Sequence, residues 1–334
     1  MGLNYQLSFL DRCPRSEGQT SESALNNALE LVSRLEDIGF SRYWVAEHHS
    51  TLPLVSSSPE ILIAWLIAQT KRIRIGSGGV MLQHYSPYKV AENFNLLSAL
   101  SNGRVDLGIG KAPGGFPAST RALQHGIDAA QKGDFSEQLA TLDHFLDSTF
   151  DPENKEEAFA SPTPQQTAQR FLLGASVESA QIAASLDWNF VFATHYNGNP
   201  QVLHDALTLF KSQSKTGKAL LSVQVVVAET SEQIEQQAEK LTIWSLELEN
   251  GVRVKIPTEE AGLEFARQAN SPIKQLKQEQ RSVVQGTADE VYQQLQALHE
   301  QYQIDEFVLD FAASDHAERL KALDLLAQQS QLAA

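Results

Sequence analysis

The residues best suited to moving protons are a histidine pair in Glu47-His48-His49 and a third histidine at His195, followed by Tyr196. A neutral imidazole titrates near physiological pH and can take or give a proton with little rearrangement. Metal ligation is the competing chemistry. A zinc or iron site needs several ligands converging on one ion, and adjacent side chains do not readily do so from a strand end, so no metal site is expected. Structural hydrogen bonding at a strand end explains a bare His-His pair about equally well.

A second kind of chemistry is suggested by Gly174-Ala175-Ser176-Val177-Glu178-Ser179, where a strand passes into a helix through small and hydroxyl-bearing residues. The first amides of a helix lack intrahelical partners and carry the positive end of its dipole, which makes a phosphate cradle. An ordinary serine N-cap is the plainer explanation, and Glu178 opposes an anion unless it points away. Lys111 could supply a balancing positive charge, with Gly114 and Gly115 allowing close backbone approach. Ser77-Gly78-Gly79 reads either as a strand-end bulge beside a ligand or as a flexible turn.

These groups have to be placed by regular elements, and the apolar pattern supplies them. Strands are expected at 5–9, 43–46, 72–77, 105–109, 171–173, 190–193, 221–228 and 307–311, alternating with helices at 23–38, 58–70, 86–100, 134–147, 177–186, 201–212, 287–302 and 315–327. Eight such pairs favour one closed (β/α)8 TIM-type barrel over residues 1–334, with an open doubly wound sheet as the other possibility. Residues 110–133 are too long for an ordinary connection and form a long loop after the fourth strand. Residues 231–280, polar and Gln-rich, read as a helical insertion after the seventh strand. In such a barrel the C-terminal strand ends carry the site, and His48, His49, Lys111, Gly174 and His195 all fall there.

A net charge of −15 excludes a protein built to hold nucleic-acid backbones, while leaving room for a local basic pocket. The single cysteine, Cys13, cannot form an intramolecular disulfide, and no apolar run is long enough to cross a bilayer or act as a leader. A cytoplasmic, soluble protein without membrane contact is the expectation.

Trp44-Val45-Ala46-Glu47-His48-His49, the run from Gly76 to Leu82, the segment 98–110 around Asn102-Gly103-Arg104, and the segment 174–184 occur in an order and spacing that resemble the bacterial luciferase-like flavin monooxygenases. The resemblance covers most of the barrel and is weakest across 231–279. It implies FMN, reduced by a separate flavin reductase, dioxygen, and a small organic substrate. It further implies that His48 is the catalytic acid/base, with His49 in a supporting or substrate-pocket place and His195 and Tyr196 lining the flavin or substrate side. Cofactor binding would fall on Ser77, Gly78, Gly79, Lys111, Gly174, Ala175, Ser176, Val177 and Ser179, with a non-prolyl cis peptide at the bulge pressing on the flavin ring.

Two departures from the family pattern stand out. Lys111 replaces a frequent arginine, giving a point charge instead of a bidentate fork. A second basic phosphate ligand has no clear counterpart, Arg121 being the candidate substitute. Relatives on this barrel also imply two alternatives, a deazaflavin-dependent hydride-transfer reductase and a non-catalytic flavin-binding protein. The 110–133 loop and the insertion are candidate lids, and apolar faces on helices 58–70 and 87–100 would suit a homodimer.

Overall fold

The computed structural model describes residues 3–128, 131–154, 156–239 and 241–329. Apolar runs able to bury both faces form the strands, and capped amphipathic segments form the helices between them. The first two-thirds of the chain run β1 (Gln6–Asp11), α1 (Ser21–Asp37), β2 (Arg42–Val45), α2 (Pro59–Gln69), β3 (Arg74–Ser77), the short β4 (Val80–Met81), α3 (Pro87–Ser101), β5 (Val105–Gly110), α4 (Pro117–Leu123), α5 (Phe135–Asp147), β6 (Gln169–Gly174), α6 (Val177–Ser185), β7 (Asn189–Ala193), α7 (Pro200–Gln213) and β8 (Ala219–Val227). The remainder runs α8 (Ser231–Glu239), β9 (Thr242–Leu248), β10 (Arg253–Ile256), α9 (Glu259–Ala269), β11 (Ile273–Gln280), β12 (Val283–Gly286), α10 (Ala288–Tyr302), β13 (Glu306–Phe311) and α11 (His316–Gln329).

Local chemistry starts and stops these helices. Prolines stand at the first turn of α2, α3 and α7, where a missing N–H costs nothing. Reciprocal capping boxes, Asp134 with Glu137 and Thr287 with Glu290, open α5 and α10. Asn102 ends α3 in the left-handed region.

The parallel strands pair in the order β1, β2, β3, β5, β6, β7, β8, β13, and β13 returns to β1, so the sheet is a closed eight-stranded barrel and not an open one. Closure removes the edges that would otherwise invite pairing with another chain. Leu10, Trp44, Ala46, Phe171, Val191, Leu220 and Val308 fill its interior, while the larger core lies between the strands and the helices. On the outside, α2 leaves Ile61 exposed and α3 leaves Leu96 and Leu100 exposed.

An ionic network closes the N-terminal end of the barrel. Arg42 donates through Nε to Glu306 at 2.5 Å, and through Nη1 to Asp106 at 3.0 Å and Gln169 at 2.9 Å. Arg74 donates to the other oxygen of Asp106 at 2.8 Å, Trp44 Nε1 donates to Asp106 at 3.0 Å, and Ser8 donates to Glu306 at 2.6 Å. Both carboxylates are thus fully engaged.

The insertion differs from the expected helical excursion. Helices α8 and α9 are present, but β10, β9 and β11 form a separate three-stranded antiparallel sheet. Its apolar positions alternate, Trp244, Leu246 and Leu248 in β9 with Val254 and Ile256 in β10, and they pack with Phe265 and Ala266 of α9 into a core of their own. The Gln and Lys residues of β11 are exposed, and only Ile273, Leu276 and Glu279 are partly buried. The long 110–133 connection carries α4, which docks on α9. Phe116 meets Phe265 edge-on at 5.8 Å, and Ala118 N donates to Gln268 Oε1 at 3.0 Å.

Candidate active site at the C-terminal mouth of the barrel

Strand alternation decides which polar groups enter the barrel mouth. Trp44 and Ala46 face the interior, and two residues further on stands His48; Val191 is interior, followed at the same period by Ala193 and His195. The same step carries Leu10 to Arg12, Val308 to Asp310, and Leu220 through Ser222 to Gln224. Residues of opposite parity turn away. Asp11 accepts from Tyr43 Oη at 2.5 Å and from Arg319 at 2.7 Å, outside the strands.

The interior set forms one linked group. Arg12 Nε donates to Asp310 Oδ1 at 3.0 Å, Gln224 Nε2 donates to Asp310 Oδ2 at 3.1 Å, and Arg281 Nη1 reaches Gln224 Oε1 at 3.4 Å. His48 lies in the field of Arg12 and Asp310, and His195 in the field of Asp310, Arg12 and Arg281. Burial, with smaller repulsion from the guanidinium groups, outweighs attraction to Asp310 and pushes both rings down to about 4. Both histidines are therefore neutral at physiological pH. Their Nδ1 atoms are buried without a hydrogen-bond partner in the protein, an arrangement that favours a ligand or an ordered water over a purely structural part. The Tyr196 ring lies tilted against His195 with centroids 4.7 Å apart and remains substantially exposed.

The neighbouring histidine does something different. His49 Nε2 lies 2.6 Å from Glu47 Oε1, and that fully buried carboxylate also accepts from Tyr85 Oη at 2.8 Å and Met81 N at 3.0 Å. His49 N in turn donates to Gly114 O at 2.8 Å. Glu47 and His49 thereby tie the loop after β2 to the segments after β3 and β5, and the two adjacent histidines face different surroundings.

Strands β5 and β6 are neighbours, so Lys111 and the turn into α6 share one sector of the rim. Ser176 caps α6, its Oγ accepting from Ser179 N at 3.2 Å and lying 3.1 Å from Ser179 Oγ. Gly174 is required there by space, since a Cβ would sit 2.3 Å from Ser179 Cβ. Asn197 donates to Ala175 O at 3.1 Å and braces the turn. Lys111 Nζ is exposed and lies 3.4 Å from Glu178 Oε1, which points outward with it. Two hydroxyls, the first-turn amides near Val177 and an exposed ammonium group suit a phosphate monoester. Arg121 does not join them; it donates to Gln268 O at 2.9 Å on the insertion.

The Gly78-Gly79 peptide is cis. Ser77 exchanges hydrogen bonds with Gly108, donating to its oxygen at 2.8 Å and accepting from its nitrogen at 3.0 Å. A Cβ on Gly79 would approach Gly108 O to 2.7 Å, so backbone packing there excludes any side chain. Beside the mouth, His48 lines a cavity of about 470 Å3 together with Leu52, Leu54 and Val55. Reading along the sequence missed Arg12, Gln224, Arg281 and Asp310. Three of them carried a signal, a polar residue two positions beyond an interior apolar one, whereas Arg281 follows a polar segment and carried none.

Comparison with known proteins agrees with this architecture. Residues 7–303 match the family model described as luciferase-like monooxygenase. N-acetyl-S-alkylcysteine monooxygenase of Bacillus subtilis (strain 168) is 38% identical over 326 residues, 96% of this chain and 97% of that protein. The crystal structure of apo-MsnO8 superposes with a TM-score of 0.77 at 29% identity, covering 97% of each chain. More distant structures share the fold alone. A type II Baeyer-Villiger monooxygenase from Pseudomonas putida in complex with FMN has a TM-score of 0.68 at 17% identity, covering 97% of both chains. An F420-dependent secondary alcohol dehydrogenase has a TM-score of 0.69 at 15% identity, covering 99% of this chain and 100% of that one. With a matching family model across most of its length and a full-length relative that is a monooxygenase, the chain belongs to the luciferase-like monooxygenase family and is an enzyme of that family.

Proposed function

We propose that this enzyme uses reduced FMN, delivered by a separate flavin reductase, and dioxygen to oxygenate a small organic substrate. The main support is the pairing, at one barrel mouth, of a rim suited to a phosphate ester with the neutral, unpartnered imidazole of His48. Reduced FMN would supply the electrons and the oxygen-activating ring chemistry. The chain supplies everything else. Ser176, Ser179 and the amides after Gly174 and Ala175 hold the phosphate, and Lys111 exchanges Glu178 for it. Ser77, Gly78 and Gly79 would border the ring through the cis peptide, with the glycine positions packed against Leu10, Trp44 and Gly108.

His48 Nδ1 is the atom that would hold or move a proton at the reacting centre, and depression of its pKa keeps it able to accept one. His195, in the field of the same Arg12 and Asp310, and the adjoining Tyr196 would border that space, while His49, locked to Glu47, positions the loop that carries His48. The adjacent cavity, lined by Leu52, Leu54 and Val55 together with Ser50, Thr51 and Ser57, offers a substrate both apolar and hydroxyl contacts. The relative named for N-acetyl-S-alkylcysteines makes such thioethers the first substrates to offer.

The test is anaerobic titration of the purified protein with FMN, reduced FMN and a deazaflavin, followed by air in the presence of substrate. Preferential binding of reduced FMN with oxygen transferred to product is expected. Binding of deazaflavin alone would replace this reading with hydride transfer, and binding of flavin with oxygen converted only to hydrogen peroxide would make the protein a flavin carrier.

A further inference from the structure

Arg281 is the least compensated charge in the barrel mouth. It stands between β11 and β12, at the exit of the insertion, with its Nε buried and lacking a partner. Among the described residues, its one side-chain hydrogen bond runs from Nη1 to the neutral amide oxygen of Gln224, at 3.4 Å. The nearby carboxylate of Asp310 accepts from Arg12 and Gln224 and acts on Arg281 only through space, without a hydrogen bond to it among the described residues. Arg12, Arg281 and Asp310, with two neutral histidines, leave the mouth one positive charge in excess, in a chain whose net charge is −15. A largely buried guanidinium without an anion is costly, and a planar fork with free donors matches a carboxylate in both charge and shape.

The barrel order places this group away from the phosphate rim. Along the closed sheet β1, β2, β3, β5, β6, β7, β8, β13, the junction of β5 with β6 is diametrically opposite the junction of β13 with β1. Lys111 and Ser176 follow the first pair; Asp310 and Arg12 belong to the second, and Gln224 to the adjoining β8. A cofactor phosphate held at one rim cannot also neutralise Arg281 at the other. The unpaired Nδ1 atoms belong to His48 and His195, which follow β2 and β7, the strands that flank the arginine side.

We infer that Arg281, supported by Arg12 and Gln224, binds a carboxylate group on the organic substrate and so sets its place relative to His48, with the residue that reads the charge standing where the insertion returns to the barrel. This assignment rests on the flavin-oxygenase reading of the same mouth. The substrate class it names is an organic acid whose apolar part reaches the cavity lined by Leu52, Leu54 and Val55.

The experiment uses the FMN-loaded enzyme and a panel of N-acyl and thioether carboxylic acids, each paired with its neutral primary amide, with binding followed by flavin fluorescence and by calorimetry. At least one acid should bind about ten- to a hundredfold more tightly than its amide, the range expected of a charge-assisted hydrogen bond. Arg281→Met should bring that ratio close to one, Arg281→Lys should restore part of it, and FMN affinity should be unchanged in both. The inference is overturned if no acid in the panel is preferred to its amide, or if the preference survives in Arg281→Met. Failure of the wild-type protein to bind FMN, by contrast, would remove the oxygenase reading itself and be seen before any acid is added.

Discussion

The two ends of the barrel hold similar residues in opposite conditions. At the N-terminal end, Arg42, Arg74, Asp106 and Glu306 are buried or partly buried, and each carboxylate is satisfied by guanidinium, indole or hydroxyl donors. At the C-terminal end, Arg12, Arg281 and Asp310 share a mouth with His48 and His195, and three buried nitrogens have no partner. Buried charge alone therefore does not mark function. A closed network stabilises the barrel and fixes how its strands meet, whereas an open one holds groups in readiness for something outside the chain.

That contrast can be broken from either end. The largest effect is expected for His48→Ala, which should lower product formation by about 10²- to 10⁴-fold, the usual share of a general acid or base, while the thermal midpoint moves little. Steady-state oxygenation and differential scanning calorimetry on the same preparation check both halves, and a variant that retains full turnover would remove His48 from the chemistry. Arg42→Ala should do the reverse. Stranding Asp106 and Glu306 in the barrel floor should cost about 3–5 kcal/mol of stability, read by urea denaturation, with turnover of the remaining folded enzyme close to wild type.

The smallest effect sharpens the comparison through pH. His48 and His195 protonate near 4 in the folded chain and near 6.5 when exposed. Between those values the unfolded chain binds more protons, so their contribution is complete above about 6.5 and is lost as pH falls towards 4. Urea midpoints at pH 5 and 7 should differ in the wild type, and the difference should shrink in a His48→Gln, His195→Gln double variant. An unchanged difference would mean that other groups govern the acid limb.

The insertion shows where sequence reading reached its limit. Eight strands and their helices were legible because each barrel strand is an apolar run and each helix carries its own cap or first-turn proline. Strands β9, β10 and β11 were not, although Trp244, Leu246 and Leu248 alternate, because the solvated strand β11 has exposed Gln and Lys at consecutive positions and a short antiparallel sheet resembles a polar helix in composition. Arg121 failed as a phosphate ligand for a related reason. Its place in the connection could be read, but its docking onto Gln268 depends on an insertion folded elsewhere.

The sequence by itself determined the barrel, the rim on which the candidate site was sought, and the motifs around His48, Ser77 and Ser176, since each rests on local pattern, either period-two burial or a cap within four residues. Only the tertiary structure decided which of two adjacent histidines enters the mouth, which arginines keep a closed partner and which one lacks an anion. Those outcomes depend on residues brought together from remote parts of the chain, as with Arg12 and Asp310, which are 298 positions apart. Barrel closure creates that proximity, and no local spacing encodes it.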